Sequence, residues 1–491
     1  MKPIRWITVL LAVPALLVSG CRPVDPDDSL DKETRNLRYY VNTFAYNMMS
    51  AYYLWRDEVE TALGQWKTTD DPIAKVAEVR YKDESGKDID RWTVLTDDFS
   101  SLSGSVSGHT RSFGLEFVLY YTDRTHEKVC AVVTYTYAGS PAEKAGFRRG
   151  DVILTLDGKE MTADNYADVV RSTLRGGGTL QAGLSDGRTV SMTAVDLYED
   201  PVHLSRILEE DGRKVAYLHY TGFTLDSCGD LVDVMRRFTE DGVDEMVLDL
   251  RYNGGGYVST EAVLGSMLAP PAAVAAGEIF STEVVNSLLA EKWETDTVRF
   301  QTDFTIRMGE EEHSFSTAGA NPGLKRLYCL VTGESASASE GLICSLRPYM
   351  DVILVGGQTY GKYCAGTLSA ATDWYEALRD EAKDIDCDEA LSYVDNWGIY
   401  VMYARYADCN GVTLSMPDGI APDVEVSDDP LDGYSLGDPH ETMLARALAL
   451  IGGRPAPDTR TRGSGDPAPS AGPAGISVRK PGFGMLVGRN R

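Results

Sequence analysis

The sequence predicts a multidomain α/β protein built from a helical N-terminal module, a small β-rich domain and a larger α/β core. Three observations lead to this fold class. The chain has 491 residues, and domains usually run to roughly 100–200 residues, which leaves room for several. The pattern of apolar residues changes from helical spacing, to short strands, to alternating strands and helices along the chain. The composition, 43% hydrophobic and 25% charged, is typical of globular proteins.

The charge balance argues against a nucleic-acid partner. The formal net charge is −27, whereas nucleic-acid binding depends largely on neutralising phosphates with basic side chains. The eight cysteines show no CxxC pair and no histidine at a metal-ligand spacing, so we expect no zinc site. The sequence implies no other metal or cofactor.

The first residues indicate export and lipid attachment. Residues 1–20 combine a basic start, a short apolar run and small residues, as in a secretory signal peptide. The ending Val-Ser-Gly-Cys resembles a bacterial lipobox, which implies cleavage before Cys21 and lipidation of its thiol. A plain signal peptide with an incidental cysteine is the alternative. Residues 21–35, which include an acidic run, would then form a tether in the cell envelope, periplasmic or surface-exposed. The membrane would be contacted only through the lipid anchor.

Lipidation of Cys21 leaves seven cysteines, an odd number, so at least one thiol is expected to be free or buried. Cys387 and Cys409 flank one segment and form the best candidate pair. The alternative, that they are small buried hydrophobic residues, is supported at least as well.

Residues 36–110 are predicted to form the helical module, because residues 37–55 place apolar side chains at helical spacing. Residues 111–200 form the β-rich domain. Ser140-Pro141 is a typical helix start, Asp157-Gly158 predicts a hairpin turn, and residues 166–174 carry a helical stripe.

This middle segment resembles a PDZ domain of the circularly permuted bacterial kind. The resemblance rests on the run Ser-Pro-Ala-Glu-Lys-Ala-Gly followed by Gly-Asp-Val-Ile. It implies that Gly114, Leu115, Glu116 and Phe117 form the carboxylate-binding loop, at which a peptide C-terminus is added as an extra strand. A generic small β module is the alternative.

Residues 201–453 are predicted to form the α/β core. Residues 215–220, 246–250, 327–332 and 352–355 read as buried strands. Asp438 to Glu441 are expected to cap the last helix and form its first turn, and the stripe Leu444, Ala447, Leu448 and Ile451 would be its buried face. Residues 454–491 are rich in Pro, Gly, Ser and Arg and are predicted to be a disordered tail.

Ser337 lies in a turn of small residues between a predicted strand and a predicted helix. Free N–H groups and the helix dipole at this position favour negative charge, which suits acyl transfer through an oxyanion. Ser337 and Glu340 also match a capping box, which needs no catalysis. Ser335 is the rival nucleophile, because Gly333-x-Ser335 begins an elbow pattern.

Lys362 follows a buried strand in a glycine-rich turn. Burial would lower its pKa and make the neutral amine usable as a base; an exposed loop lysine is the alternative. Gly356-x4-Gly361-Lys362 also nearly matches a phosphate-binding loop, but Tyr363 stands where that motif needs Ser or Thr. The run Asp249 to Gly256 ends another strand in glycines whose N–H groups could serve an oxyanion hole. None of the six histidines lies in a comparable turn, so a Ser-His-Asp triad is disfavoured.

Together these stretches resemble the C-terminal processing (tail-specific) serine peptidases, which use a Ser-Lys dyad. The resemblance rests on Ser-Ala-Ser-Ala-Ser-Glu, Thr-Tyr-Gly-Lys, Asp-Leu-Arg-Tyr-Asn-Gly-Gly-Gly and Gly-Ile-Ala-Pro-Asp-Val. It implies that Ser337 is the nucleophile, Lys362 the base, and Gly255 and Ala338 the oxyanion donors. It also implies a core resembling the ClpP/crotonase-like fold, polypeptide substrates and no cofactor.

Two features depart from the family pattern. Many members carry a glutamine four residues after the lysine, which orients the dyad, and here that position is Gly366. Residues 370–396 contain nine acidic and two basic residues and are predicted to be an acidic insertion near the site. The sequence therefore predicts a serine endopeptidase that recognises C-terminal segments. The alternative is a weakly active or inactive PDZ-type peptide-binding lipoprotein, and the oligomeric state stays open.

Overall fold

The computed structural model describes residues 30–122, 125–175, 178–292, 297–308, 311–379, 385–414, 416–455 and 470–471. The predicted signal peptide, Cys21 and the acidic run of the tether therefore lie outside the described residues, as does most of the predicted tail. None of the helices in the described ranges is long and apolar enough to cross a membrane. The multidomain α/β fold class is confirmed.

The first part of the described chain is mostly helical. Its long first helix is capped by Asp31, whose carboxylate accepts the Thr34 N–H at 2.9 Å, and the helix buries the stripe that the sequence predicts. The elements here are α1 (Lys32–Tyr52), α2 (Glu60–Gly64), α3 (Pro72–Val79), β1 (Val94–Thr96) and α4 (Phe99–Ser107).

The β-rich domain follows. Asp157 and Gly158 both adopt positive φ, 50° and 73°, as a two-residue hairpin turn requires, and Ser140 caps the short helix predicted at Pro141. The elements are β2 (His109–Ser112), β3 (Leu115–Tyr121), β4 (Lys128–Thr136), α5 (Pro141–Lys144), β5 (Val152–Leu156), β6 (Lys159–Thr162), α6 (Tyr166–Arg175), β7 (Thr179–Leu184), β8 (Thr189–Thr193) and β9 (Val195–Tyr198).

The core contributes the remaining elements except β22 (Ser470–Ala471), which is a short strand in the tail. They are β10 (Val202–Glu210), β11 (Arg213–Tyr220), α7 (Cys228–Glu240), β12 (Glu245–Asp249), α8 (Val258–Leu268), α9 (Pro271–Ala276), β13 (Ile279–Val285), α10 (Ser287–Lys292), β14 (Thr297–Arg299), β15 (Asp303–Met308), β16 (Glu311–Ser316), β17 (Arg326–Val331), α11 (Ala338–Leu346), β18 (Asp351–Gly356), β19 (Cys364–Ala370), α12 (Ala371–Leu378), α13 (Cys387–Leu391), β20 (Gly398–Ala407), β21 (Val424–Glu425) and α14 (Thr442–Ile451).

One six-stranded sheet forms the centre of the core, in the order β10-β11-β12-β17-β18-β21. From β11 onward neighbouring strands are parallel, and their side chains are almost entirely buried because helices cover both faces. Parallel strands end at the same edge of a sheet, so the loops after β12, β17 and β18 lie side by side.

A second sheet joins the N-terminal helices to the core. Its central strand, β20, pairs with β19 along one edge and with β1 and β13 along the other. One apolar cluster contains side chains of α1, α3, α12 and α13 together with β19 and β20. Residues 36–110 therefore share a hydrophobic core with residues 364–402. The boundaries at residues 110, 200 and 453 stay predictions.

Several local expectations are corrected. The last helix begins at Thr442 rather than at Pro439, and Glu441 is its cap, accepting the Leu444 N–H at 3.0 Å. Cys387 and Cys409 are not paired; all seven cysteines in the described ranges are free and six of them are buried. The acidic segment carries helices α12 and α13, whose apolar faces pack against the N-terminal helices. In the tail, Ser470–Ala471 pairs with β3.

Candidate active site

Three sequence motifs meet at the carboxyl edge of the central sheet. Asp249 ends β12, Val331 ends β17 and Gly356 ends β18, and these three strands are consecutive neighbours. In parallel sheets the carboxyl edge is where ligands and catalytic groups usually lie. The turns that carry Gly255, Ser337 and Lys362 begin there.

Ser337 occupies the sharp turn between β17 and α11. Its backbone has φ 61° and ψ −112°, a conformation that glycine adopts readily and other residues adopt only under strain. The side chain is fully buried, and its Oγ has no hydrogen-bond partner among the described residues. The hydroxyl is therefore not used to hold the fold together.

Ser335, the rival nucleophile, has a structural hydrogen-bonding role. Its Oγ donates to the Leu250 carbonyl at 2.7 Å and accepts the Thr332 N–H at 3.0 Å. These bonds tie the turn after β17 to the end of β12. They also make Ser335 a worse nucleophile than the unpartnered Ser337.

Glu340 connects the backbone of the predicted nucleophile to that of the predicted base. Its Oε2 accepts the N–H groups of Ser337 and Lys362, each at 2.9 Å. Its Oε1 accepts Thr359 Oγ1 at 2.6 Å and the Gly361 N–H at 2.8 Å. The bond from the Ser337 N–H to this carboxylate is the one that a capping box expects from Glu340. Because the same carboxylate also accepts the Lys362 N–H, it links the backbones of Ser337 and Lys362.

The Lys362 side chain is fully buried between the two sheets. Its Nζ lies 3.2 Å from the Tyr400 hydroxyl and 5.6 Å from the centre of the Trp92 ring. Burial, opposed by Cys364, Asp90 and Glu340, lowers the pKa of Lys362 to about 8. An amine with this pKa is partly neutral near physiological pH and can accept a proton.

The same contacts exclude the phosphate-loop reading of residues 356–362. In a phosphate-binding loop the backbone N–H groups face an anion from solvent. Here the N–H groups of Gly361 and Lys362 are bound by Glu340, and the lysine side chain points into the protein rather than to the surface.

The two predicted oxyanion donors differ in whether their N–H groups already have an acceptor in the fold. The N–H of Ala338 is the first of α11 and has no intrahelical acceptor. The N–H of Gly255, at φ 107°, donates to Asn253 Oδ1 at 2.8 Å. Asn253, which the sequence reasoning did not single out, also binds the turn before α11, because its carbonyl accepts the Ala336 N–H at 3.0 Å.

A buried ion-pair network lies beneath the glycine turn. Arg251 is fully buried, and its guanidinium contacts Asp249, Asp428 and Glu441 at 2.6–2.9 Å. Arg149 of the β-rich domain joins the same network through Asp428 at 2.8 Å. Sequence reasoning missed Asp428, Glu441 and Arg149, because no local pattern connects them.

The predicted carboxylate-binding loop lies at the start of β3. Gly114 has φ 64°, and a Cβ there would lie 2.3 Å from Ser140 Cβ, so only glycine fits. The Gly114 N–H donates to Ser112 Oγ at 2.8 Å. Leu115 and Phe117 point into the domain core, whereas Glu116 is partly exposed.

The edge of β3 is able to accept an added strand. In the seven-stranded sheet, β3 lies next to β4 on one side. On the other side Ser470 and Ala471 pair antiparallel with Tyr121 and Tyr120. This is the main-chain pairing by which an extended peptide adds to a sheet.

None of the histidines in the described part of the chain hydrogen-bonds Ser337. His203 and His219 contact each other at 2.9 Å beneath the β-rich domain, and His109 binds Asp226. The triad alternative therefore has no support in the geometry.

Two family models match parts of this chain, and similar proteases are known. Residues 214–426 match the model of peptidase family S41, and residues 132–176 match a PDZ domain. A carboxyl-terminal-processing protease of Picosynechococcus is 24% identical over 394 residues, which cover 76% of this chain and 80% of that protein. A Staphylococcus aureus protein named as a CtpA-like serine protease is 28% identical over 262 residues. They cover 53% of this chain and 46% of that protein.

The fold is also found in a solved structure. A Bacteroides fragilis protein assigned to the S41 proteases superposes with a TM-score of 0.62 at 23% identity, covering 83% of this chain and 97% of that one. At this level of identity the likeness concerns the fold.

Proposed function

We propose that this chain, which is similar to the C-terminal processing serine peptidases of family S41, cleaves polypeptides through an acyl-enzyme formed by Ser337 and Lys362. The observation that carries this proposal is the shared carboxylate of Glu340, which binds the backbone of both residues. A buried, unpartnered hydroxyl and a buried amine of lowered pKa are thereby held at one edge of the sheet.

In the proposed mechanism, Ser337 Oγ attacks the carbonyl carbon of the peptide bond while neutral Lys362 accepts the hydroxyl proton. The oxyanion that forms receives the N–H of Ala338 and, once it leaves Asn253, the N–H of Gly255. Collapse of the intermediate releases the amine, which takes the proton from Lys362, and leaves an ester on Ser337. Water, deprotonated by Lys362, then hydrolyses the ester and restores the hydroxyl.

The PDZ domain is proposed to bind the C-terminal segment of the substrate along the edge of β3. The strand pairing seen at Tyr120 and Tyr121 supports this mode, and Gly114 to Phe117 would receive the terminal carboxylate. The ion pair between Arg149 and Asp428 joins this domain to the network under the glycine turn.

The first test compares cleavage of an unfolded polypeptide pool by the wild type, Ser337→Ala and Ser335→Ala, with products mapped by mass. We expect Ser337→Ala to lose all products. Ser335→Ala should keep activity within about tenfold of the wild type and lose about 1–2 kcal/mol of stability, because it loses hydrogen bonds but no reacting group. A wild type that yields no more product than Ser337→Ala, with or without added C-terminal peptides, would favour the peptide-binding alternative.

Cys21 is proposed to carry the lipid that anchors the protein in the cell envelope. The support is the Val-Ser-Gly-Cys sequence after a short apolar run. Bacterial cells fed a labelled fatty acid should incorporate the label into the wild type and into Cys409→Ala, and Cys21→Ala should remain unlabelled. Equal labelling of all three proteins would exclude Cys21 as the lipidated residue.

A further inference from the structure

The space next to Gly366 is filled by an aromatic side chain from the adjacent strand. Gly366 lies in β19, and a Cβ added there would lie 2.3 Å from Tyr400 Cζ and 2.4 Å from Met402 Cε. No side chain larger than hydrogen fits at position 366 while Tyr400 keeps its place. The glutamine that the family resemblance implies at this position is therefore sterically incompatible with this tyrosine.

Tyr400 reaches the base through its hydroxyl. It lies on β20, is fully buried, and its ring centre is 5.0 Å from Lys362 Nζ. The hydroxyl oxygen accepts a hydrogen bond from Nζ at 3.2 Å, and the backbone N–H of Gly366 is a further donor to this phenol. Burial raises the pKa of Tyr400 well above its usual value, so the phenol stays neutral.

The carboxylates near Lys362 are bound to other donors. Asp90 accepts the hydroxyl of Tyr53 at 2.8 Å and the backbone N–H groups of Trp92 and Thr93 at 2.9 and 3.0 Å. Glu340 is bound by backbone amides and Thr359, as described above. Cys364, the other titratable neighbour, lies with its Sγ 3.4 Å from Met402 Sδ. Each of these groups affects the pKa of Nζ electrostatically, whereas Tyr400 accepts a hydrogen bond from Nζ.

We propose that Tyr400 is the positioning residue of the dyad and replaces, from a different strand, the glutamine missing at position 366. This inference rests on the proposed function. By accepting one N–H of Nζ, the phenol oxygen turns the lone pair of the amine toward Ser337. Without this bond the amine loses one of the contacts that fix the direction of its lone pair.

The primary test is Tyr400→Phe, which removes the hydroxyl and keeps the ring. We expect kcat to fall about 10- to 100-fold with KM little changed, because a hydrogen bond to a charged group is lost during proton transfer. The phenol oxygen stabilises the ammonium more than the amine. Its loss should therefore move the acid limb of the pH–kcat/KM profile to lower pH, by about one unit.

Tyr403→Phe is the matched control. Tyr403 lies on the same strand, is equally buried, and its hydroxyl donates to Glu283 at 2.5 Å. We expect it to lower stability while leaving kcat and the pH midpoint unchanged. If Tyr400→Phe matches the wild type in both readouts, or changes only stability as Tyr403→Phe does, the inference is wrong.

Substitutions at positions 366 and 400 test whether Tyr400 takes the place of the glutamine. Gly366→Gln alone should be poorly active, because its side chain meets the Tyr400 ring, and Tyr400→Ala alone should be poorly active because the acceptor is gone. The double variant should exceed Tyr400→Ala at least about tenfold, since glutamine can then supply the acceptor. A double variant no better than Tyr400→Ala contradicts the proposal.

Titration of the amine separates this inference from the proposed function. NMR titration of a protein that carries 13Cε-labelled lysine, with Lys362→Met assigning the signal, gives the midpoint of the amine without any substrate. If the wild type cleaves no more than Ser337→Ala, the proposed function fails. In that case, a titration midpoint of Lys362 that is lower in Tyr400→Phe than in the wild type, and unchanged in Tyr403→Phe, supports the contact between Tyr400 and Lys362. A midpoint that is unchanged in Tyr400→Phe overturns the inference.

Discussion

Replacing Ser337 with glycine is expected to abolish cleavage and to make the protein more stable. The nucleophile is lost, so turnover should fall by at least about 10³-fold. The backbone at Ser337, with φ 61° and ψ −112°, costs a non-glycine residue about 1–3 kcal/mol. Glycine removes that cost, and the unfolding midpoint measured by calorimetry should rise by a few degrees.

Ser337→Ala is the control for this prediction. It removes the same hydroxyl but keeps a Cβ, so turnover should fall equally without the rise in unfolding midpoint. If glycine and alanine gave the same stability, the strain at Ser337 would not be stored in the backbone. If Ser337→Gly kept cleaving, the nucleophile would lie elsewhere.

Replacing Lys362 with methionine is expected to stop turnover and to stabilise the protein at neutral pH. The folded pKa of Lys362 is about 8, below its usual value of 10.5. The unfolded chain therefore binds more protons between these two values, and stability from this group rises with pH across that interval. Below pH 8 the buried ammonium costs about 3 kcal/mol, a cost that methionine, of similar length, removes.

The measurement is the free energy of unfolding in urea from pH 6 to pH 10, together with the pH dependence of kcat/KM. In the wild type the free energy of unfolding and kcat/KM should both rise as Lys362 loses its proton. In Lys362→Met the rise in the free energy of unfolding should disappear. Lys325→Met, at an exposed position, should behave as the wild type. A wild-type rate that is flat from pH 6 to pH 10 would contradict the role of Lys362 as base.

The sequence indicated which turns lie at one edge of the central sheet, because its motifs directly follow strand ends. β12, β17 and β18 are short apolar runs, recognisable without a structure, and each leads into a turn of small residues. Once such strands are parallel neighbours, their turns must lie together. The turns that carry Ser337 and Lys362 could therefore be placed side by side from the chain alone, although the hydrogen bonds of both residues to Glu340 could not.

Two local expectations do not match the structure. Glu441 was assigned to the first turn of a helix, yet it is the cap of α14 and a partner of Arg251. Cys387 and Cys409 flank one segment, which makes them only a candidate pair, and both are free. The pairing of Glu441 with Arg251 joins residues far apart in the chain, so no local spacing could indicate it.

The sequence by itself determined the fold class, the strand-turn-helix around Ser337 and the glycine turn after β12, because these depend on local backbone preferences and apolar periodicity. Only the tertiary structure decided that Ser335 is bonded and Ser337 is not, that Asn253 holds the Gly255 N–H, and that a tyrosine from β20 fills the space at Gly366. These facts depend on packing between segments far apart in the chain, where burial and distance, rather than residue type, select the partner.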